Sequence, residues 1–331
     1  MTQFVKSHKY TTVEECTLDK AVKKKRKHLS AAQLRTEIPY WTMLIIPIAY
    51  FAIFCYWPMF GLSLAFQNYK VGAPFIGPGV KWVGWFWFKQ FLNYPFAWRL
   101  VTNTFLLSFY SLIVSFPMSI FLALILNEIR INKMKQFVTT LSFLPHFIST
   151  TVVVGMLTNF LNINDGIINQ IIVKMGGNAV DFMGNAKYFR TLYVLSGCWQ
   201  GVGFNAIVFS AAIAGVDLGL YEAAFVDGST RWKNIFLITI PNILPTIIIM
   251  LILRVGSLMS VGHEKVILMY SEKIYDTADV LSTYTYRCGI LNIPPKTSYS
   301  VAIGLMNSLV NLILVLITNT ISSKLSDTSL F

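Results

Sequence analysis

The segment Tyr221-Glu222-Ala223-Ala224-Phe225-Val226-Asp227-Gly228, followed by nine residues and then Ile238-Thr239-Ile240-Pro241, has the makings of a docking surface. Ala223 and Ala224 on a short helix let a partner's backbone approach closely, and Glu222 supplies a charge for an arginine or a backbone donor across the contact. Gly228 permits a sharp change of direction between two short helices. Ser229 is placed to cap the second helix, and Pro241 to close it before the next apolar run. Asp227 and Arg231 are helpers on the same surface. A generic amphipathic loop accounts for each residue alone; the order and spacing of the whole set favour docking.

Constellations for catalysis are absent from the sequence. From Ile38 to Asn127 there is no Asp or Glu, and the later acids fall mainly in loops. A proton-coupled carrier would place carboxylates within its membrane spans, so that reading is weak, although sodium coupling through backbone carbonyls leaves an ion-coupled carrier open. There is no His/Glu metal pair, and no Ser or Cys has a His base within the same run. His146, beside Pro145, reads as structural. Cys16, Cys55, Cys198 and Cys288 are scattered, without disulfide or metal spacing. No G-x-x-x-x-G-K-[ST] loop occurs, so the chain is not expected to hydrolyse a nucleotide. No catalytic residue, no metal site and no cofactor of its own is expected.

The elements that hold these residues must lie in a membrane. The chain has 331 residues, 55% hydrophobic and only 13% charged, with a mean hydropathy of +0.58, whereas a soluble domain carries about 25% charged residues. A spanning helix needs about 20 mostly apolar residues. Six runs qualify, roughly 41–65, 99–127, 137–161, 190–214, 243–262 and 299–322, so an all-α integral membrane protein is expected. Pro47, Pro117 and Pro145 should bend these runs. Nine of the 27 basic residues precede residue 40, including Lys23-Lys24-Lys25-Arg26-Lys27. The positive-inside rule puts the N-terminus in the cytoplasm, and an even number of spans returns the C-terminus there.

Residues 1–38 thus read as a basic tail facing lipid headgroups, with no cleavable signal and no aromatic-studded surface for nucleic acid. Residues 39–325 form the transmembrane domain, with a cytoplasmic loop at about 215–242 and a structured outer loop at about 263–298. Residues 326–331 form a short carboxyl tail. Trp82, Trp85, Phe86, Trp87 and Phe88 fit an interfacial anchor.

Glu-Ala-Ala, three residues, Gly, nine residues and Ile-x-Leu-Pro is the EAA signature of the permease subunits of binding-protein-dependent ATP-binding cassette (ABC) importers. The sequence resembles it at Glu222-Ala223-Ala224, Gly228, Ile238 and Pro241, departing only by Ile240 for Leu. It is similar in more detail to the branch that imports oligosaccharides and polysaccharide fragments. The likeness lies at Tyr56-Trp57-Pro58-Met59-Phe60-Gly61, Asn103-Thr104, Phe116-Pro117, Leu126-Asn127-Glu128, Leu144-Pro145-His146-Phe147-Ile148-Ser149, Ala278-Asp279-Val280 and Thr283-Tyr284. It covers about residues 38–331. Ser229 stands where such permeases often have Ala, and His263-Glu264 where an aromatic residue usually precedes the acid.

The resemblance implies a type I ABC importer permease in a bacterial plasma or inner membrane, forming half of a translocation pathway for a carbohydrate. It implies a second, homologous permease, two copies of an ATPase that uses ATP and Mg, and an external substrate-binding protein. Closure of the ATPase dimer would move the loop bearing Glu222, Ala223, Ala224, Asp227, Gly228 and Arg231, and rock the pair between inward-open and outward-open states. Sugars are held by aromatic faces and by amide and charged hydrogen-bonding groups. Asn159, Trp199, Gln200, Asn205 and Arg254, all within apolar runs, meet that description. Arg254 follows eleven uncharged residues, Ile243–Leu253, and is costly there unless it faces a watery cavity. The alternative is a guanidinium that snorkels or binds the carbonyls near Gly256. An ABC permease for a non-sugar solute is the competing function.

Overall fold

The structure, a computed structural model, describes residues 31–325 apart from 71, 76 and 78. The basic run of residues 23–27, Cys16 and the carboxyl tail lie outside the described residues. Among the described residues every element is helical, with one isolated antiparallel bridge between Gln67 and Trp82. The first is α1 (Ala31–Tyr50), continued by a π turn (Phe51–Tyr56) and a 3₁₀ stretch (Trp57–Phe66). Then come α2 (Phe86–Leu92), α3 (Ala97–Glu128), α4 (Asn132–Phe143) with a 3₁₀ extension (Leu144–Phe147), α5 (Thr150–Phe160), α6 (Ile167–Lys174) and α7 (Ala186–Ala214). They are followed by α8 (Leu218–Val226), α9 (Arg231–Asn234), a π turn (Ile235–Thr239) and α10 (Ile240–Gly256). The chain ends with α11 (His263–Met269), α12 (Tyr275–Ala278), α13 (Leu281–Tyr286) and α14 (Thr297–Leu325).

Among the described residues, five helices are long and apolar enough to cross a bilayer: Pro39–Phe66, Ala97–Glu128, Ala186–Ala214, Arg231–Gly256 and Thr297–Lys324. Helix is the form in which such segments satisfy their own backbone N–H and C=O groups, which lipid tails cannot. The third expected span, 137–161, is instead a bent pair, α4 with its extension and α5 meeting at 96°. The cause is local: Pro145 has no N–H to donate to the preceding turn, Ile148 is extended (φ −77°, ψ 129°), and the Ser149 hydroxyl accepts from Val152 N to start α5. Pro47 and Pro117, by contrast, lie within the unbroken helices α1 and α3.

The fifth span also differs from expectation. It starts at Arg231 and ends at Gly256, because α9, the π turn and α10 run as one helix. Pro241 therefore sits in the first turn of α10 and closes nothing. Pro241 and Pro245 cannot donate to the carbonyls of residues 237 and 241, four positions earlier, and the widened π turn lies just before the first of them.

The chain divides into two compact units, Met1–Gly61 and Leu62–Phe331. In the first, Tyr40, Met43, Ile46, Phe54 and Trp57 are exposed, as suits a helix bathed in lipid. In the second, α3 and α7 form the most extensive helix pair. Ala123, Ala206, Phe209, Ile213 and Ile243 knit α3, α7 and α10 together, with Phe116 edge-on to Phe209 at 5.7 Å. The expected outer loop is indeed structured, and much of it is core: Val266, Ala278, Val280 and Thr283 are fully buried.

Polar groups fasten that segment to α3. Asn103 Nδ2 donates to the carbonyls of Asp276 (2.9 Å) and Asp279 (3.0 Å), and Asn103 Oδ1 accepts from Arg190 Nη2 (2.9 Å). Thr104 Oγ1 accepts from Leu281 N at 2.9 Å. Buried Asp279 accepts two bonds from Arg287 and one from Thr283 Oγ1.

The bent pair is seated on α7. Gln200 Nε2 donates to the Ile148 carbonyl at 2.7 Å, and His146 stacks on Phe204 with centroids 4.1 Å apart. Gly203 makes the close approach possible, since a Cβ there would collide with the Ser142 carbonyl oxygen. Gly203→Ala is therefore expected to lower the thermal midpoint of the purified protein, at a cost of about 1–3 kcal/mol typical of overpacking. Gly155→Ala, where nothing lies within 4 Å of the added carbon, should leave the midpoint unchanged or raise it; equal midpoints for the two variants would contradict this account.

Candidate functional site

A cavity of about 380 Å³ lies between α3, α7, α10 and the segment 257–265. On α3, Ser108, Ser111, Ser115 and Ser119 line it; their spacings of three and four residues keep them on one helical face. Ser111 Oγ donates to Leu107 O (2.8 Å) and Ser119 Oγ to Ser115 O (2.7 Å), so each oxygen keeps lone pairs that can accept a further hydrogen bond.

On α7, Tyr193, Gly197, Gln200, Gly201 and Asn205 line the opposite wall. The Asn205 Oδ1 accepts from Arg254 Nη2 of α10 at 2.7 Å, which orients the guanidinium within the cavity. Lys265 of α11 enters from the other side of the same wall. Its Nζ donates to the Tyr193 carbonyl (3.0 Å) and sits 4.7 Å from the Tyr193 ring centroid, a cation–π distance. Burial pushes the Lys265 ammonium down to about 8, because an apolar setting disfavours the charged form.

Lys265 contacts Tyr193; its own helix also carries His263 and Glu264, α13, packed against α11, carries Tyr284 and Tyr286, and α5, also packed against it, carries no titratable side chain. The lining holds two cations, two amides and a file of hydroxyls. Among the described residues it includes no Asp, Glu, His or Cys. Such a site can hold an anionic, hydroxyl-rich solute.

The second candidate surface lies on α8 and the turn after it. Asp217 caps the helix by accepting from Gly219 N at 2.9 Å. Glu222, Ala223, Asp227, Gly228 and Arg231 are exposed and Ala224 is half-buried. The helix ends in a Schellman arrangement: Gly228 N donates to Phe225 O (3.1 Å) and Ser229 N to Ala224 O (2.9 Å), which requires the left-handed conformation that Gly228 adopts at φ +71°. The sequence places Ser229 to cap the next helix, but the N-cap is Thr230, without a side-chain bond. Tyr221 OH and Thr239 Oγ1, 2.9 Å apart, brace α8 against the π turn. Around the turn, Phe225, Val226 and Trp232 are 80%, 84% and 70% exposed, an apolar patch of the kind that marks a protein contact.

Residues 96–327 match the family of binding-protein-dependent transport system inner membrane components. The chain belongs to that family. It is 39% identical to protein LplB of Bacillus subtilis, over 87% of this chain and 90% of that protein. It is 37% identical to the polygalacturonan/rhamnogalacturonan transport system permease YteP of the same organism, over 93% and 95%. It also resembles a chain in the crystal structure of a bacterial alginate ABC transporter in complex with an alginate pentasaccharide-bound periplasmic protein. That likeness has a TM-score of 0.81 at 36% identity, over 92% of this chain and all of that one.

The protein is thus a multi-pass inner-membrane permease component of an ABC importer, and works with a binding protein and an ATPase. Of the five residues singled out in the apolar runs, the fold brings Gln200, Asn205 and Arg254 to one cavity. Asn159, at the end of α5, and Trp199, on another face of α7, do not line it. Sequence reasoning missed Lys265, which reads as one more outer-loop charge, and the serine file of α3, whose three-and-four spacing is visible in the sequence.

Trace labelling of amines across pH, read by mass spectrometry, should find Lys265 half-reactive near pH 8, against about 10 for an ordinary lysine. Since its folded value is lowered, the unfolded chain binds more protons between these values, and stability contributed by this group rises with pH across that window and is lost as pH falls through about 8. A midpoint near 10 would contradict the burial.

Proposed function

We propose that the chain forms half of the translocation pathway of an ATP-driven importer whose cargo is an acidic oligosaccharide. The observation that carries this is the cavity lining: Arg254 and Lys265, with Asn205, Gln200 and serine hydroxyls, and no carboxylate among its described residues. The Arg254 to Asn205 bond supports a cavity-facing guanidinium over one that snorkels or binds carbonyls near Gly256. Relatives agree in kind, since YteP is named for polygalacturonan and rhamnogalacturonan and a similar structure imports the acidic polysaccharide alginate. Charge-assisted hydrogen bonds from a guanidinium and an ammonium recognise carboxylates more strongly than neutral donors do.

A second, homologous permease supplies the other half, and two ATPase subunits bring the ATP and Mg; this chain has no nucleotide loop of its own. Glu222, Ala223, Ala224, Asp227, Gly228 and Arg231 dock the ATPase on the cytoplasmic side, together with the apolar Phe225, Val226 and Trp232. Alternating access then needs the force on α8 to reach the cavity, and the helix running unbroken from Arg231 to Gly256 connects that surface to Arg254. The N- and C-termini lie in the cytoplasm in this arrangement.

Gly228→Asp should abolish uptake and ATPase co-purification, because an L-residue at φ +71° is strained by about 1–2 kcal/mol and adds a charge at the docking turn. Normal uptake and normal ATPase association would rule out the docking assignment. Arg254→Gln should cut uptake of an acidic trisaccharide by about tenfold or more, the loss of a charge-assisted bond, in proteoliposomes holding the whole importer. Uptake of acidic and neutral trisaccharides at equal rates by the unaltered protein would overturn the acidic reading.

A further inference from the structure

Lys265 and the Arg254–Asn205 pair occupy different levels of one wall. A Cβ on Gly197 would lie 3.3 Å from Lys265 Nζ, and a Cβ on Gly201 would lie 3.4 Å from Asn205 Nδ2. The two polar ends therefore sit over consecutive turns of α7, offset along its axis by four residues, about 6 Å. That offset is comparable to one pyranose ring along a saccharide chain. Between the two levels the face that carries Gly197 and Gly201 is bare of side chains, and Gln200 lines the cavity beside it.

These glycines differ in kind from the other close-packed ones on the spans. At Gly203 a Cβ would strike the Ser142 backbone, and at Gly256 the Val315 side chain; both close a helix contact. At Gly197 and Gly201 the nearest atoms are instead the hydrogen-bonding ends of Lys265 and Asn205. What the missing side chains protect is room at these two groups.

We infer that Lys265 and the Arg254–Asn205 pair are two separate anion anchors that grip carboxylates on successive residues of one saccharide chain, laid over the bare face of Gly197 and Gly201 and hydrogen-bonded from the opposite side by the serine file of α3. This rests on the acidic-oligosaccharide reading. It adds that the pathway reads the spacing of charges along the chain, and that Lys265 determines specificity. The step is binding alone; no bond is made or broken in the cargo.

The test uses the complete importer, with both permeases, the ATPase and the binding protein, in proteoliposomes. Trigalacturonate and trimannuronate are the acidic probes, and maltotriose is the neutral one. Lys265→Gln and Arg254→Gln should each lower uptake of an accepted acidic trimer by about tenfold, and the double variant should show the product of the two losses, as independent sites do. Gly197→Val should block the acidic trimers while the complex still assembles.

A double variant no worse than either single one would mean one shared carboxylate and would overturn the two-anchor inference, leaving the acidic reading intact. So would a loss with one of the two substitutions only. Wild-type uptake of neither acidic trimer, or uptake of maltotriose at the same rate, would overturn both. Should Lys265→Gln fail to assemble, Lys265→Arg decides: it is expected to keep uptake and to carry it to a higher pH than wild type, since an arginine does not lose its proton there. An alkaline limit that does not move would count against Lys265 as an anchor.

Discussion

The side chain of Asn103 holds together what the rest of the second unit depends on. In a setting where water does not fill unpaired valences, its amide donates to two carbonyls of the 276–279 segment and its oxygen accepts from Arg190 of α7. Three elements far apart in sequence are thereby fixed to one another. An unmet polar group at such depth costs several kcal/mol, so the arrangement is specified far more sharply than apolar packing alone would specify it. Thr104 repeats the device one residue on, and the Asp279–Arg287 pair makes the fastened segment rigid from within.

The cavity follows from this fastening. With the segment 257–280 pinned against α3 and α7, α11 is held where Lys265 reaches the Tyr193 carbonyl. The bent pair is seated by Gln200, a lining residue of the same cavity, through the carbonyl of Ile148, which is extended between the two helices and so lacks a helical partner. A group that lines the cavity is thus also a group that holds a bent element in place. Any rearrangement of that element must break or carry this bond, which gives the cavity lining and the bent element a direct physical link.

At the other surface the decisive feature is backbone handedness. Gly228 at φ +71° lets two orphan carbonyls of α8 be met within a single turn, and the chain re-enters a helix at Arg231 that continues to Gly256. A side chain at 228 would penalise that turn, which is why the glycine of the signature has a fixed place relative to Glu222 and Pro241. From Arg231 a continuous helix runs to the wall that carries Arg254.

Much of this was legible in the sequence. The apolar runs announced the spans, the EAA spacing announced the turn at Gly228, and an arginine after eleven uncharged residues announced a polar interior. Each is a local property, since hydropathy, glycine handedness and the cost of a bare charge in lipid act on a residue wherever the chain carries it. Other features came only from the tertiary structure. Nothing local says that Asn103-Thr104 meets Ala278-Asp279-Val280, or that Lys265 turns inward while Trp199 does not. Those outcomes depend on which partner each freed carbonyl or buried amine finds, and the partners, such as Gln200 for Ile148 and Tyr193 for Lys265, lie 52 and 72 residues away.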